Sequence, residues 1–383
     1  MTPHQKDAAE PRLLHTLGRD VREVGHALKR DGFTRPMSRT VRELEEFYLS
    51  TARQTRLAGM GPVKRWLFMS VWLVKSLFLR LTPARRVLLL LGFFLLATSI
   101  QISLGGGREL RINNFPGVGV ALVLLVLMLE LKDKLLAQNE LEAGRAVQRA
   151  LLPGRTADVP GWDTWLFTQS ANEVSGDLVD VLALDDARTS VALADVAGKG
   201  LPAALLMAKL QATLRALASG TRPLDDLGAQ VNRILYRDGL PSSFSTLVYL
   251  VLSPGSAAID LLNAGHMPPL VLRRDGRLDE LPRGGPALGL LAESTYQVHG
   301  VALDDWETMV VFSDGVTEAM NRAGEFFGDE RLRAIVAGGG LLSAQRLGER
   351  ILADVEAFVD DAPVHDDISL LIVRRLGAVP PPT

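Results

Sequence analysis

The chain has 383 residues and no cysteine, with 42 Lys+Arg against 44 Asp+Glu. That length accommodates two or three domains, and the lack of cysteine excludes a disulfide framework, a thiol nucleophile and any Cys-ligated zinc or iron–sulfur site. The near-neutral total hides an asymmetry: residues 1–150 carry 23 basic and 13 acidic side chains, and residues 151–383 carry 19 and 31, so the front half suits anionic lipid headgroups and the back half suits metal cations.

The N-terminus, MTPHQKDAAEPRLL, is polar and has no apolar core behind a basic start, so it does not read as a signal peptide. Residues 1–64 are expected to form a basic, helical, cytoplasmic region without a ligand motif. A membrane region is expected over 65–131. Its first element, WLFMSVWLVKSLFLRL at 66–81, places Lys75 in the middle of an apolar run and reads as a helix lying in the interface. As a third span instead, it would put the N-terminus outside. Residues 87–107 and 112–129 carry no charge, and a span needs about 20 apolar residues. These two stretches, the second closing at Glu130 (112–130), predict a transmembrane hairpin. Eight Lys/Arg and no acid occupy residues 51–86, which sets both ends of the hairpin on the cytoplasmic side of the cell membrane.

Residues 132–152 hold good helix formers and no proline, and predict a helical linker. Leu131, Leu135, Leu141, Val147 and Leu151 form an imperfect apolar stripe, compatible with a homodimeric coiled coil and equally with a helix packed on its own domain. From 153 to 376 the pattern changes to short apolar runs with turn signals. Strands are predicted at 164–168, 178–184, 190–195, 246–253, 257–262, 270–273, 308–313 and 368–374. Helices are predicted at 202–218, 224–236, 330–336 and 343–359. Helices come in adjacent pairs rather than in strict alternation with strands, which predicts an α+β fold with antiparallel sheets covered by helices. The Pro-rich end, 377–383, is expected to be disordered.

Acidic residues recur at the ends of these strands with glycine nearby: Asp177 in EVSGDLVDV, Asp195 in VALADVAGKG, Asp314 in VVFSDGVTEAM, and Asp366 with Asp367 in VHDDISLLIV. A single Asp-Gly is an ordinary turn. Several carboxylates converging at one sheet edge would repel one another unless cations neutralise them, and oxygen ligands without Cys favour Mg²⁺ or Mn²⁺ over zinc.

With AVQRALLP, NAGHMPPLVL and GLLAES in the same order, these motifs resemble the metal-dependent serine/threonine phosphatases of the PPM type (protein phosphatase 2C-like), and within them the bacterial branch of the sporulation stage II E phosphatase. The resemblance covers about 60% of the chain and implies an antiparallel β-sandwich flanked by helix pairs. It also implies two Mn²⁺ or Mg²⁺ ions and in-line attack of an ion-activated hydroxide on phosphorus, without a phosphoenzyme. Carried over residue by residue, Asp177 would be a metal ligand and Asp195 would bridge both ions. The Val196 carbonyl would join one of them, and Asp314 and Asp366 would hold the second. Asp367, Gly315 and Gly176 would support these ligands. Ala194 and Ser175 replace the glycines usual before Asp195 and Gly176, and the arginine with which eukaryotic relatives grip phosphate is not evident before Asp177. The resemblance further implies a phosphorylated signalling protein as partner, an anti-anti-sigma (STAS-type) factor among the candidates; membrane lipid is the other expected partner, and nucleic acid is not.

Other signals weigh less. Gly198-Lys199-Gly200 lacks the rest of a phosphate loop, and Lys199 is expected to cap a helix. His266 reads as structural; His365 as a solvated loop or a neighbour of Asp366; Arg273, Arg274 and Arg277 as a solvated hairpin. No Gly-x-Ser-x-Gly occurs. Two rivals stand beside the phosphatase reading: a binding-only sensor scaffold with the same fold, and a haloacid-dehalogenase-like enzyme, which would need an aspartate where Phe312 stands.

Overall fold

The computed structural model describes residues 61–97, 100–104, 108–112, 115–172, 174–218, 223–239 and 243–377. Residues 1–60 and the tail from 378 lie outside the described residues, and with them most of the expected N-terminal helical region and of the expected disordered end. The chain forms two units, which divide between Lys134 and Leu135.

In the first unit, helix α1 (Pro62–Arg80) starts on a proline, whose fixed φ suits the first turn. Helix α2 (Pro83–Ala97) follows after Leu81 and Thr82. The expected helix over 87–107 is corrected here. It stops at Ala97, and strands β1 (Ile100–Leu104) and β2 (Arg108–Ile112) form an antiparallel pair in register Ile102↔Leu110. Ile100, Ile102 and Leu104 alternate with Gln101 and Ser103, a period of two that favours a strand, and three glycines follow. Helix α3 (Phe115–Leu151) is one element of 37 residues, so the expected second apolar helix and the expected linker are continuous. Its uncharged stretch begins at Phe115 and reaches only to Leu129, and α2 has 15 residues, both short of the roughly 20 a span needs. Among the described residues no helix is long and apolar enough to cross a membrane. Helices α2 and α3 meet through two glycines: a Cβ on Gly119 would lie 2.6 Å from the Gly92 carbonyl oxygen. One turn from the start of α2, Arg85 reaches both Glu130 and Asp133 on α3 at 2.6 Å.

The second unit is a sandwich. Its strands are β3 (Trp162–Gln169), β4 (Leu178–Ala183), β5 (Thr189–Val196), β6 (Ser245–Leu252), β7 (Ala258–Ala264), β8 (Leu270–Leu272), β9 (Leu278–Glu280), β10 (Val298–Ala302), β11 (Thr308–Phe312) and β12 (Ile368–Arg375). One sheet runs β10-β7-β6-β5-β4 and the other β3-β12-β11-β8-β9. Every strand pair in both is antiparallel. Helices α4 (Leu201–Ala218) and α5 (Leu224–Asp238) cover the first sheet; α7 (Gly328–Ala337) and α8 (Ala344–Val359) cover the second, and a short turn of helix, α6 (Asp314–Thr317), follows β11.

The strands are apolar at nearly every position because each sheet is covered on both faces. Along β5, Val191 and Leu193 point into the layer between the sheets while Ala192 and Ala194 face α4 and α5. Along β12, Leu371 and Val373 point inward while Leu370 and Ile372 meet α7 and α8. Alternation of faces along a strand thus yields three apolar layers from two sheets. The α+β expectation holds, and the eight predicted strands and four predicted helices all occur, with ends shifted by up to two residues. The solvated hairpin expected around Arg273 is corrected: its guanidinium donates to Asp279 at 2.7 Å and to the buried Glu307 at 2.8 Å, tying the β8–β9 turn to the start of β11.

Candidate active site

The sheet order brings the candidate aspartates to one end of the sandwich. Leu178 pairs with Ala194, so Asp177, just before β4, lies level with Asp195 near the end of β5. Phe312 pairs with Leu370 in the other sheet, which sets Asp314 after β11 beside Asp366 and Asp367 before β12. Two acidic positions therefore come from the first sheet and three from the second.

Their environment is unfavourable for charge. Asp177 is 3% exposed, and its Oδ2 is buried without a hydrogen-bond partner. Burial, then the Asp195 carboxylate, push the Asp177 carboxyl well above the usual range, against the opposing pull of the Ser369 and Ser313 hydroxyls. Burial, followed by Asp314, Asp366 and Asp367, raises Asp195 to about 7. Asp314 is also raised, by burial and then by Asp366. An orphaned, desolvated carboxylate oxygen within an all-oxygen cluster is the donor chemistry of a hard divalent cation, and in that sense the residues fit one. As the side chains stand, no three Asp, Glu or His among the described residues are gathered tightly enough to hold an ion.

The supporting residues act on the backbone. Asp367 is 7% exposed and accepts from Ser175 Oγ at 2.7 Å, Gly176 N at 2.7 Å and Ala171 N at 2.8 Å, which fixes the loop carrying Asp177. Gly176 lies against the Val196 carbonyl: a Cβ there would be 3.2 Å from that oxygen. A Cβ on Gly315 would overlap the Asp367 carbonyl. Ser313 Oγ donates to the Asp367 carbonyl at 3.1 Å and accepts from Ser369 N at 2.9 Å, joining the Asp314 turn to the start of β12.

The helix-capping role expected of Lys199 is corrected by its contacts. Its Nζ lies 2.8 Å from Asp366 Oδ2 and donates to the His365 carbonyl at 2.7 Å. The flanking Gly198 and Gly200 adopt φ of 110° and 72°, which favour glycine, and so allow the tight approach of this segment. His365 itself is exposed.

Sequence reasoning missed the polar residues behind the aspartates. Gln148, near the end of α3, is buried and exchanges two hydrogen bonds with the Ser175 backbone, at 2.7 and 2.9 Å. Gln211 of α4 donates to the Leu151 carbonyl at 2.9 Å. A glutamine inside AVQRALLP, on a face otherwise open to solvent, was the available signal. His266 lies in the crossover from β7 to β8, which passes from one sheet to the other. Its Nε2 is 3.0 Å from the Phe312 carbonyl, which can only accept, so Nε2 carries the hydrogen and Nδ1 accepts from the Thr246 hydroxyl at 2.7 Å. Thr246 pairs with Asp195 in the ladder, and Phe312 lies two residues before Asp314. Burial lowers the imidazole to about 4, so it is neutral. His266→Ala should cost about 1–3 kcal/mol by leaving two buried groups unpaired and should lower turnover; an unchanged melting temperature would show that the bridge carries no load.

The haloacid-dehalogenase alternative fails on topology, since β11 lies in an antiparallel sheet and Phe312 is a buried core side chain. A cavity of 630 Å³ between Leu184, Leu217, Tyr249 and Tyr296 is lined by none of the candidate site aspartates, whereas one of 350 Å³ is lined in part by Asp177.

Comparison with known proteins agrees with this geometry. The family model for stage II sporulation protein E (SpoIIE) matches residues 185–376, a stretch that includes Asp195, Asp314, Asp366 and Asp367. Protein IcfG of Synechocystis sp. is 28% identical over 263 residues, which cover 62% of this chain and 41% of IcfG. The phosphoserine phosphatase RsbU of Bacillus subtilis is 28% identical over 240 residues, covering 62% of this chain and 70% of RsbU. The chain thus spans less than half of IcfG. The SiaA-PP2C domain of Pseudomonas aeruginosa aligns with a TM-score of 0.56 at 18% identity, over 64% of this chain and 99% of that domain, a likeness of fold.

Proposed function

Because this chain belongs to the stage II sporulation protein E family, we propose that it is a metal-dependent protein phosphatase that removes phosphate from serine or threonine of a signalling phosphoprotein. The observation that carries this reading is the placing of Asp177 and Asp195 from one sheet and Asp314 and Asp366 from the other at one end of the sandwich, with the Asp177 Oδ2 buried and without a partner. RsbU is named a phosphoserine phosphatase, which supports the same chemistry here. An anti-anti-sigma factor of the STAS type is the substrate class we favour.

In this reading Asp177, Asp195, Asp314 and Asp366, with the Val196 carbonyl, would hold two Mn²⁺ or Mg²⁺ ions. Such ions supply an activated water and neutralise charge on the phosphoryl oxygens. The chain's own part is positioning. Asp367 holds the loop of Asp177, the Ser313–Ser369 pair holds the turn of Asp314, and His266 ties β11 to the β5–β6 ladder, so the two halves of the site keep their spacing. Lys199 keeps a positive charge beside Asp366. Hydrolysis of p-nitrophenyl phosphate by the full-length protein, dependent on Mn²⁺ and blocked by beryllofluoride, is the expected result. Absent hydrolysis by folded protein would leave a binding-only scaffold, and metal-independent hydrolysis would overturn the two-ion reading.

We also place the protein at the cell membrane, anchored through residues 65–131 as a hairpin, with the phosphatase unit in the cytoplasm. The basic run at 51–86 and the uncharged stretches after it support this placement. Reporter fusions after residue 60 and after residue 150 should both read as cytoplasmic; an external signal from either would overturn the two-span arrangement.

A further inference from the structure

We infer that the 350 Å³ cavity beside Asp177 binds an oxyanion of the phosphoprotein substrate, and that Arg145, Arg149 and Arg155 hold it. The inference rests on the phosphatase reading above and adds to it the place and chemistry of substrate recognition. Arg145 and Arg149 come from the last turns of α3 and Arg155 from the segment that follows, while Gln169 and Ser170 at the end of β3 and Asp177 complete the wall.

Several observations point to an anion. Residues 135–383 carry 33 acidic side chains against 21 basic, so three guanidinium groups around one cavity are a local reversal of charge in a unit that otherwise repels anions. Arg145 and Arg149 stand four residues apart and therefore share one face of α3. Arg149 and Arg155 are exposed, and neither forms an ion pair among the described residues. The Arg155 guanidinium lies 5.7 Å from the Phe167 ring centre, and the Leu166 amide donates to the Arg155 carbonyl at 2.7 Å. Ring and backbone thus orient this arginine without using its N–H donors. Guanidinium forks match the paired oxygens of phosphate and carboxylate. The volume lies near the small end of ligand sites, suited to one phosphoryl or carboxyl group rather than to a nucleotide.

Position gives the cavity its meaning. Asp177 lines it, and Gln148, on the same stretch of helix, holds Ser175 of the loop that carries Asp177. An oxyanion here lies beside the carboxylate cluster. It is either the phosphoryl group of the substrate or a carboxylate next to the phosphorylated residue.

The test compares the full-length protein with the pair Arg149→Gln/Arg155→Gln and the charge-keeping pair Arg149→Lys/Arg155→Lys. The readout is kcat/KM on phosphoserine peptides with acidic or neutral flanks, each as a ratio to the value of the unmodified protein, with p-nitrophenyl phosphate measured beside them. The glutamine pair should lower this ratio at least tenfold, and the lysine pair should recover part of it. A loss on acidic flanks alone assigns the arginines to a neighbouring carboxylate; an equal loss on both peptides assigns them to the peptide's phosphoryl group. Values within twofold of those of the unmodified protein on both peptides would overturn the inference. If the unmodified protein hydrolyses nothing, the phosphatase reading fails by itself. Fluorescence anisotropy with the same labelled peptides then decides: tenfold weaker binding by the glutamine pair keeps the site, and equal binding removes it.

Discussion

Asp195→Asn should lower Mn²⁺-dependent turnover at least about a hundredfold, equivalent to about 2.7 kcal/mol at the transition state. Asparagine keeps the shape at the end of β5 and removes the charge at the carboxylate that Asp314, Asp366 and Asp367 all oppose. The same change should stabilise the metal-free fold at high pH. Asp195 is raised from an ordinary 3.8 to about 7, so between about pH 4 and pH 7 the folded chain keeps a proton that the unfolded chain has lost. Stability from this group is therefore present at low pH and falls as pH rises through that window. At roughly 1.4 kcal/mol per pH unit, the loss is on the order of a few kcal/mol. Denaturant titrations of metal-free protein at pH 5 and pH 8 should show this fall in the unmodified chain and less of it in Asp195→Asn. Mn²⁺ should restore stability at pH 8 only where Asp195 is intact. Normal turnover and normal Mn²⁺ affinity in Asp195→Asn would remove Asp195 from the chemistry.

Gly315→Ala is the second large effect. The added methyl would overlap the Asp367 carbonyl, a backbone atom that cannot step aside as a side-chain end would. The conflict lies between the turn carrying Asp314 and the segment carrying Asp366 and Asp367, so relieving it separates candidate ligands. Overpacking of this kind costs about 1–3 kcal/mol, and turnover should fall at least tenfold. Melting temperature and Mn²⁺-dependent rate measure the two consequences. A variant indistinguishable from the parent in both would show that these two segments do not approach as closely as the hydrogen bond from Ser313 to the Asp367 carbonyl implies.

Much of the sandwich was legible because its strands are apolar on both faces. Runs such as STLVYLVL in β6 and ISLLIVRR in β12 can hardly be anything but buried strands between turns. The missed strands lacked that signal. β10 reads VHGVA, with a glycine inside and only one of its five positions buried; β9 is three residues long. In the first unit, hydropathy summed over 21 residues hid a change of period. The mean stayed apolar through Ile100–Leu104 while the pattern turned from helical to alternating. At the site, the aspartates were visible because each lies at or beside the end of a strand. What joins them was not. The bonds from His266 to Thr246 and Phe312, and from Asp367 to Ser175, cross between segments 20 to 192 residues apart, and pairings of that reach leave no local trace in a single sequence. Lys199 was misassigned for the same reason: its partner Asp366 is 167 positions away and becomes a neighbour only once β5 and β12 have taken their places in separate sheets.

That lysine means the site carries a tethered competitor. If Asp366 holds a divalent ion as proposed, that ion would compete with an ammonium group covalently attached nearby, whose local concentration dilution cannot lower. The occupancy threshold at this position would then be set by the reach and charge of residue 199 as well as by the ligands. Exchanging lysine for a shorter or neutral side chain would let a lineage retune its response to scarce metal while every carboxylate stays in place.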